Sequence, residues 1–393
     1  MNKNKTFDVV LFGGGPANLM AASFLLNKGL RVGLFEQNAQ IGKKFLIAGK
    51  SGLNLSMDFS LDEFLQNYYG DQQFLRPFLN DFTPVNQRQF FKEILEVDTY
   101  VGSAGKVFPK ENAVTVLKKW VKYLKHEGLE IYSHHKWLEG QGCEHIVLDI
   151  KANEKIKLNA TYSVFGLGGN SWSSSGSNGN WINAMQTNGV KIQSFQPSNS
   201  GYKTNLDAFV FEKWNGQFIK NCTITVNQNT FTGEIRIGGS TLEGSPIYHS
   251  NYLVRKALEN NESVTLFIDF KPQMSLSDLK ERWNSKQSVS KKCTRLKINK
   301  VFPVFFRSLN TRIEPWQCIK QFPIEVNNFG ELDAAISTIG GVKQEMIHAD
   351  LSLKYNQNWF VNGEMVDWDA PTGGYLLSAC FAMGHSIANT ILN

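Results

Sequence analysis

Apolar and polar positions alternate with readable periods at both ends of the chain. Phe7 to Phe12 is a short apolar run bounded by glycines, which predicts a buried parallel strand. Gly13-Gly14-Gly15-Pro16-Ala17-Asn18 follows, then Leu19 to Asn27 with helical spacing, closed by Gly29. Arg31 to Phe35 predicts a second strand that ends in Glu36. Further on, Ser163 to Leu167 predicts a strand and Trp181 to Gln186 a helix. A late strand is expected to deliver Gly363-Glu364, and Gly373-Gly374 to open a last helix. That apolar final stretch is short and carries Ser378, His385, Ser386 and Asn389, so a buried helix is expected and not a membrane span. The middle reads differently. Thr223 to Val226 and Thr230 to Ile237 alternate as a hairpin about Asn227-Gln228-Asn229, and Val264 to Phe270 adds a strand. Helices are expected over Leu276 to Trp283 and Lys291 to Lys300.

With 393 residues there is chain enough for two or three domains and a large core. A composition 42% hydrophobic and 19% charged excludes disordered and collagen-like classes. The net charge of +6 is not spread evenly. Eight bases (Lys280, Arg282, Lys286, Lys291, Lys292, Arg295, Lys297 and Lys300) stand in one segment against Glu281 alone, a local +7 that leaves the other 372 residues at −1. An anionic partner would have one address. The cysteines, Cys143, Cys222, Cys293, Cys318 and Cys380, are odd in number and scattered, without a C-x-x-C pair. They suggest neither a disulfide framework nor a zinc site. Asp8 and the glycines interrupt any signal-peptide pattern, so a soluble cytoplasmic protein is expected.

Strand, glycine turn, helix, strand and acid make the layout that binds the ADP half of a dinucleotide. Gly13 permits the tight turn, and Gly15 lets the backbone approach a pyrophosphate at the N-terminus of the helix. Glu36, 21 residues after Gly15, is placed to accept from ribose hydroxyls. Asn18 stands where a third glycine normally allows close packing, which predicts a slightly displaced helix and an Asn18→Gly variant that binds the cofactor equally or better. The segment from Ile41 to Leu55 reads as a loop. Its backbone donors and Lys43, Lys44 and Lys50 suit a pyrophosphate and a flavin edge.

Gly13-Gly14-Gly15-Pro16-Ala17, Glu36, Gly42-Lys43-Lys44-Phe45-Leu46 and Ala48-Gly49-Lys50-Ser51-Gly52-Leu53-Asn54-Leu55 together resemble the bacterial NAD(P)/FAD-dependent oxidoreductases of the BaiN/YhiN type, closest to a poorly characterised branch. Many relatives carry Arg-Cys-Asn near the end of that loop; this chain has Gly52-Leu53-Asn54. Gly168-Gly169-Asn170-Ser171-Trp172, followed by Gly176-Ser177-Asn178-Gly179, resembles the family's second glycine motif, although by composition alone the stretch also reads as a linker. Gly363-Glu364 resembles the Gly-acid pair that holds the ribityl chain, and Gly373-Gly374-Tyr375-Leu376 the start of the helix that faces the flavin.

The resemblance implies an α/β fold. A Rossmann-like FAD-binding domain would comprise residues 1–195 and 335–393. A β-rich substrate domain would be inserted at 196–334, with a basic helical portion at about 275–300. It implies FAD on Gly13, Gly15, Pro16, Ala17, Glu36, Lys44, Ser51, Asn54, Gly168, Gly169, Gly363, Glu364, Gly373, Gly374, Tyr375 and Leu376. No second strand-glycine-acid unit occurs, so NAD(P)H would dock transiently as donor or be replaced by another reductant. The activity implied is hydride transfer from reduced flavin to a conjugated C=C bond of a small molecule. Relatives also suggest reduction of uridine in ribosomal RNA, with RNA gripped through Lys280 to Lys300 around Trp283. A third reading is a non-catalytic FAD-binding redox sensor. No catalytic acid stands out: His249 is a candidate, but a lone histidine more often packs, and His385 reads as structural. His134-His135, on an expected strand, lack companions for a metal.

Overall fold

The computed structural model describes residues 5–260, 262–283, 286–309 and 312–393. The chain separates into two compact units, residues 1–196 with 336–393, and residues 197–335.

The first unit is built on a sheet whose order is Ser352–Leu353, Asn356–Val361, Glu154–Phe165, β1 (Lys5–Phe12), β2 (Val32–Glu36) and Glu130–Ser133. The pairings among the last five are all parallel, with Phe12 opposite Phe35 on one side and Phe165 on the other. A parallel sheet covered on both faces needs near-continuous apolar strands, and Val9 to Phe12 are fully buried. The hairpin His135–Gln141 and Glu144–Asp149 joins antiparallel beside Glu154–Phe165. All the parallel strands therefore finish at one edge, at Phe12, Glu36, Phe165 and Val361, which is where ligands of open α/β sheets bind.

α1 (Pro16–Leu25) packs against the C-terminal helix Tyr375–Leu392, and the approach is close enough that a Cβ on Gly384 would lie 2.2 Å from the Ala17 carbonyl oxygen. The last helix has the length and hydropathy of a membrane span, but 61% of it is buried within this unit. It serves as a core helix. Trp120, on the helix Ala113–His126, lies wholly within the same core and donates from Nε1 to Ser23 Oγ at 2.9 Å.

The stretch from Ile41 to Leu55, expected as a loop, contains a short helix, α2 (Lys43–Ala48), followed by one 3₁₀ turn over Gly49–Ser51. Lys43, Lys44, Phe45 and Leu46 are adequate helix formers, Gly42 at φ 67° sets the chain's direction, and Phe45 anchors the turn in the core. The glycines bound the helix and do not dissolve it. His134 is likewise not in a strand: at φ 62° it forms the bend between Glu130–Ser133 and His135–Gln141.

The second unit is a closed six-stranded barrel in the order Tyr202–Thr204, Leu242–Glu243, Asn229–Ile237, Phe218–Val226, Val264–Asp269 and Phe322–Phe329. The expected hairpin is longer than its alternating core, and Asn227 and Gln228 alone make its turn, both at positive φ as a two-residue hairpin turn demands. Helices cover the barrel. Leu276–Trp283 forms as expected, but the second basic helix runs over Val289–Arg295 and not Lys291 to Lys300. Lys297 at φ 52° and the buried Ile298 turn the chain back toward the barrel core.

Candidate functional site

The sheet edge opens into a cleft of about 960 Å³, including solvent at its mouth. The turn after β1 forms one wall. Gly13 sits at φ 96°, and a Cβ there would meet the Gly166 carbonyl oxygen at 2.4 Å, so only glycine allows the two strand ends to meet so closely. Gly15 is the N-cap of α1 and has no capping side chain, so the first N–H groups of the helix point into the cleft unclaimed by the protein's own side chains.

Glu36 is 8% exposed. Its Oε2 accepts from Gly14 N at 2.8 Å, and its Oε1 accepts from Asn38 N at 2.8 Å and Asn38 Nδ2 at 2.7 Å. The acid is thereby locked at the tip of β2 beside the glycine turn. Lys44, on α2, pairs with Glu364 at 2.9 Å and donates to Ser171 Oγ at 3.0 Å, tying three chain segments together across the cleft.

Of the residues expected from sequence, Gly13, Gly15, Pro16, Ala17, Glu36, Lys44, Gly168, Gly363 and Glu364 line this one cleft. The others lie elsewhere. Gly169 is packed against Thr338, whose Oγ1 would be 2.1 Å from an added Cβ. Gly374, at φ 94°, is the N-cap of the last helix, against Ser56. Tyr375 is 3% exposed and its ring stacks on Phe64, so any role in binding belongs to its backbone. Leu376 packs at the edge of the core, and Gly373 at φ 116° precedes the cap. Asn54 lies against Gly374 and has neither amide atom hydrogen-bonded. The side chain of Ser51 falls outside the described residues.

Asn18 has contacts that the glycine pattern did not show. It is fully buried, and its Nδ2 donates to Phe12 O at 2.9 Å and Gly13 O at 2.8 Å, while its Oδ1 accepts from Asn362 Nδ2 at 3.1 Å. Where a third glycine would let the helix approach, this chain inserts a hydrogen-bonded amide that clamps the turn to two neighbouring strand ends.

Other contacts around the cleft could not be read from the motifs. Gln37 Nε2 donates to Gly176 O at 2.7 Å, Asn38 Nδ2 to Ser175 O at 2.9 Å, and Lys43 Nζ to Ser174 O. The two polar residues directly after Glu36 were the available hint. Cys380, from the last helix, borders Gly363; burial and the nearby Glu364 push its thiol pKa well up, which keeps it protonated. His249 is half-buried and its Nδ1 contacts Ser245 O at 2.7 Å. His385 packs between Phe24 and Phe82 with Asp81 at 3.0 Å, in a structural setting. Among the described residues, no three His, Cys, Asp or Glu side chains gather as a metal site.

The sequence profile of the HI0933-like protein Rossmann domain matches residues 7–390. The chain belongs to that family. This HI0933-like protein is also similar, at 23% identity over 95% of its length and 96% of the relative's, to a 3-dehydro-bile acid Δ(4,6)-reductase of Clostridium scindens. Among solved structures it resembles the 3-ketosteroid-Δ4-(5α)-dehydrogenase of Rhodococcus jostii in complex with 4-androstene-3,17-dione. The TM-score is 0.56, at 11% identity over 99% of this chain and 97% of that one. It is equally similar to a 3-ketosteroid Δ1-dehydrogenase of Sterolibacterium denitrificans, with TM-score 0.56, 12% identity and 99% of both chains covered. The fold of this HI0933-like protein is that of the FAD-dependent oxidoreductases, a Rossmann-like sheet with an inserted β-rich barrel.

Proposed function

We propose that this protein is an FAD-dependent oxidoreductase that reduces a conjugated C=C bond of a steroid-like enone. One observation carries the reading: the cleft at the strand ends joins an uncapped helix N-terminus, a locked ribose acid and buried polar side chains left without partners, all in the unit that matches flavoenzymes in fold. Ser175 Oγ, Ser177 Oγ and Asn362 Oδ1 are buried there without a protein partner, and buried polar atoms ordinarily find one, which a ligand or ordered water in the cleft would supply. The residues present therefore fit the cofactor.

Bound FAD would supply a hydride for an electron-poor double bond. The chain's own work is to bind and orient. The α1 N-terminus and Gly13 to Ala17 receive the diphosphate, Glu36 the ribose, and Lys44 with Glu364 the ribityl side. Asn54 and the N–H groups that follow Gly374 would favour negative charge on a reduced ring if the flavin end of the cofactor reaches the start of the last helix. We assign FAD to the discontinuous unit and substrate selection to the barrel unit. NAD(P)H would serve as a transient donor in the cytoplasm, a setting in keeping with five free thiols. The names of the relatives, which act on bile acid and ketosteroid skeletons, support the substrate class.

The test is anaerobic. Protein with its flavin reduced is mixed with 3-keto-Δ4 and Δ4,6 steroids while flavin absorbance is followed, and the reading expects enone-dependent reoxidation with one saturated product per flavin. A purified protein without flavin absorbance refutes it outright. Flavin that no enone reoxidises leaves the redox-sensor reading.

A second reading, reduction of uridine in RNA, draws on the basic helices. Lys280 lies over the Trp316 ring at 5.7 Å and Lys292 over Trp283 at 5.1 Å, bordering a groove that also holds Glu281 and Glu314. Reversing Lys291, Lys292, Arg295 and Lys297 to Glu should then weaken RNA binding strongly and flatten its salt dependence; unchanged binding excludes this reading.

A further inference from the structure

The segment after Gly168 does more than carry the chain past the sheet edge. Between Ser173 and Gly179 its backbone carbonyls are turned toward Gln37, Asn38 and Lys43, which hold Gly176, Ser175 and Ser174 respectively. With the carbonyls so engaged, the side chains of Ser175 and Ser177 are 7% and 6% exposed, and both line the cleft. Neither hydroxyl has a hydrogen-bond partner. The Ser177 hydroxyl occupies space that only a glycine at 168 leaves open, since a Cβ there would stand 2.9 Å from it. Two hydroxyls buried beyond nine-tenths, facing one cavity and each unpaired, are costly in a folded protein without a ligand.

We infer that Ser175 and Ser177 are binding residues for the ribose-diphosphate part of a dinucleotide, donating to its phosphate oxygens. The strap that bears them is positioned by Gln37 and Asn38, immediately after the ribose acid. Asn38 couples the two directly, because its Nδ2 donates both to Glu36 Oε1 and to Ser175 O. The hydroxyls and the acid thus face the same half of the ligand. This inference rests on the FAD reading above and deepens it by giving two hydroxyls a role beside the motif glycines Gly168 and Gly169, and it predicts which half of the cofactor they hold.

The test compares wild type with Ser175→Ala, Ser177→Ala and the double variant, each as full-length protein freed of flavin. FAD, ADP and riboflavin are titrated separately, and thermal unfolding of the ligand-free protein is recorded. Each substitution should weaken FAD and ADP about tenfold and leave riboflavin unchanged. Ligand-free stability should hold or rise, because the alanine removes an unpaired buried hydroxyl. A purely structural role would move the unfolding temperature and not the ADP affinity. Unchanged ADP and FAD affinities in the double variant, or a loss of ligand-free stability with affinity intact, overturn the inference while the FAD reading stands. Wild-type protein that binds neither FAD nor ADP overturns both, and that failure appears before any variant is made.

Discussion

Asn18→Gly separates the glycine-motif expectation from what the structure shows. By motif, glycine at 18 restores the common pattern and should bind cofactor as well or better. By structure, it deletes three buried hydrogen bonds. Phe12 O keeps a donor in Gly166 N at 2.9 Å, so its loss is small. Gly13 O has no second donor among the described residues. Asn362 loses its remaining side-chain hydrogen bond, having an unpaired Oδ1 already. Leaving a buried donor and a buried acceptor unsatisfied costs roughly 1–3 kcal/mol each, and glycine in the first turn of a helix adds up to about 1 kcal/mol. Allowing for partial relaxation, the total is about 3–5 kcal/mol. For a unit of this size that is a fall in unfolding temperature of roughly 6–20 °C. The turn that Asn18 clamps is a wall of the cleft to which we assign FAD, so on that assignment FAD affinity should fall at least about tenfold as well. The assays are thermal unfolding of flavin-free protein and an FAD fluorescence titration. Asn362→Ala provides the cycle, and the pair should be less than additive because they share one bond. An Asn18→Gly protein that melts within about 2 °C of wild type and binds FAD equally or more tightly would refute the amide-clamp reasoning and reinstate the expectation from the glycine motif.

Other outcomes follow from single contacts. His145 is wholly buried, with its Nε2 2.7 Å from Ser163 Oγ, and burial pushes its pKa down to about 3. The unfolded chain therefore takes up a proton that the folded one refuses: stability is full above pH 6.5 and falls by about 1.4 kcal/mol per unit as pH drops from there toward 3. Unfolding free energies from urea titrations at pH 7 and pH 5 should differ by about 2 kcal/mol more in wild type than in His145→Gln, and an equal difference in both would remove His145 as the cause. Gly13→Ala, with its Cβ 2.4 Å from a backbone oxygen, should yield protein without bound flavin by absorbance ratio; retained flavin would mean that the strand ends can part cheaply. In the barrel, Lys320 Nζ pairs with Asp269 at 2.5 Å and donates to the carbonyls of Lys271 and Met274. Lys320→Met should cost about 2–4 kcal/mol in chemical denaturation without altering FAD affinity in the other unit.

The parts of this fold that were legible in sequence are those where one physical requirement dictates residue type. A parallel strand buried on both faces must be apolar, which exposed β1 and β2. A turn at positive φ under a strand end must be glycine, which exposed Gly13. The acid at the tip of β2 follows from chain geometry. What stayed hidden depends on partners distant in sequence. Nothing local tells that Asn18 will face Asn362 or that Gln37 will hold Gly176. The helix over Lys43–Ala48 was hidden by its own glycines, since composition cannot distinguish glycines that bound a helix from glycines that dissolve one. The end of Val289–Arg295 was hidden because Ile298 is drawn into a core built by other strands. The serines of the strap read as spacing between glycines, yet their hydroxyls are the unusual feature.

The unpaired groups also bear on the length of the ligand. Ser175 and Ser177 lie by the strap that the tip of β2 holds, whereas Asn54, with both amide atoms unpaired, lies against the N-cap of the last helix. On the FAD reading proposed above, the adenosine diphosphate half would satisfy the first group and the flavin half the second. Asn54→Leu removes both amide atoms at nearly constant volume. It should leave ADP affinity unchanged and weaken FAD and riboflavin roughly tenfold, the converse of the serine variants. Titration of the three ligands against both sets of variants then reads the orientation of the cofactor without any turnover. If Asn54→Leu weakens ADP as much as FAD, Asn54 acts through general stability and the proposed span from β2 to the last helix is wrong. If it spares all three ligands, the amide is left unpaired for some other reason, and the flavin end of the site must be sought away from Gly374.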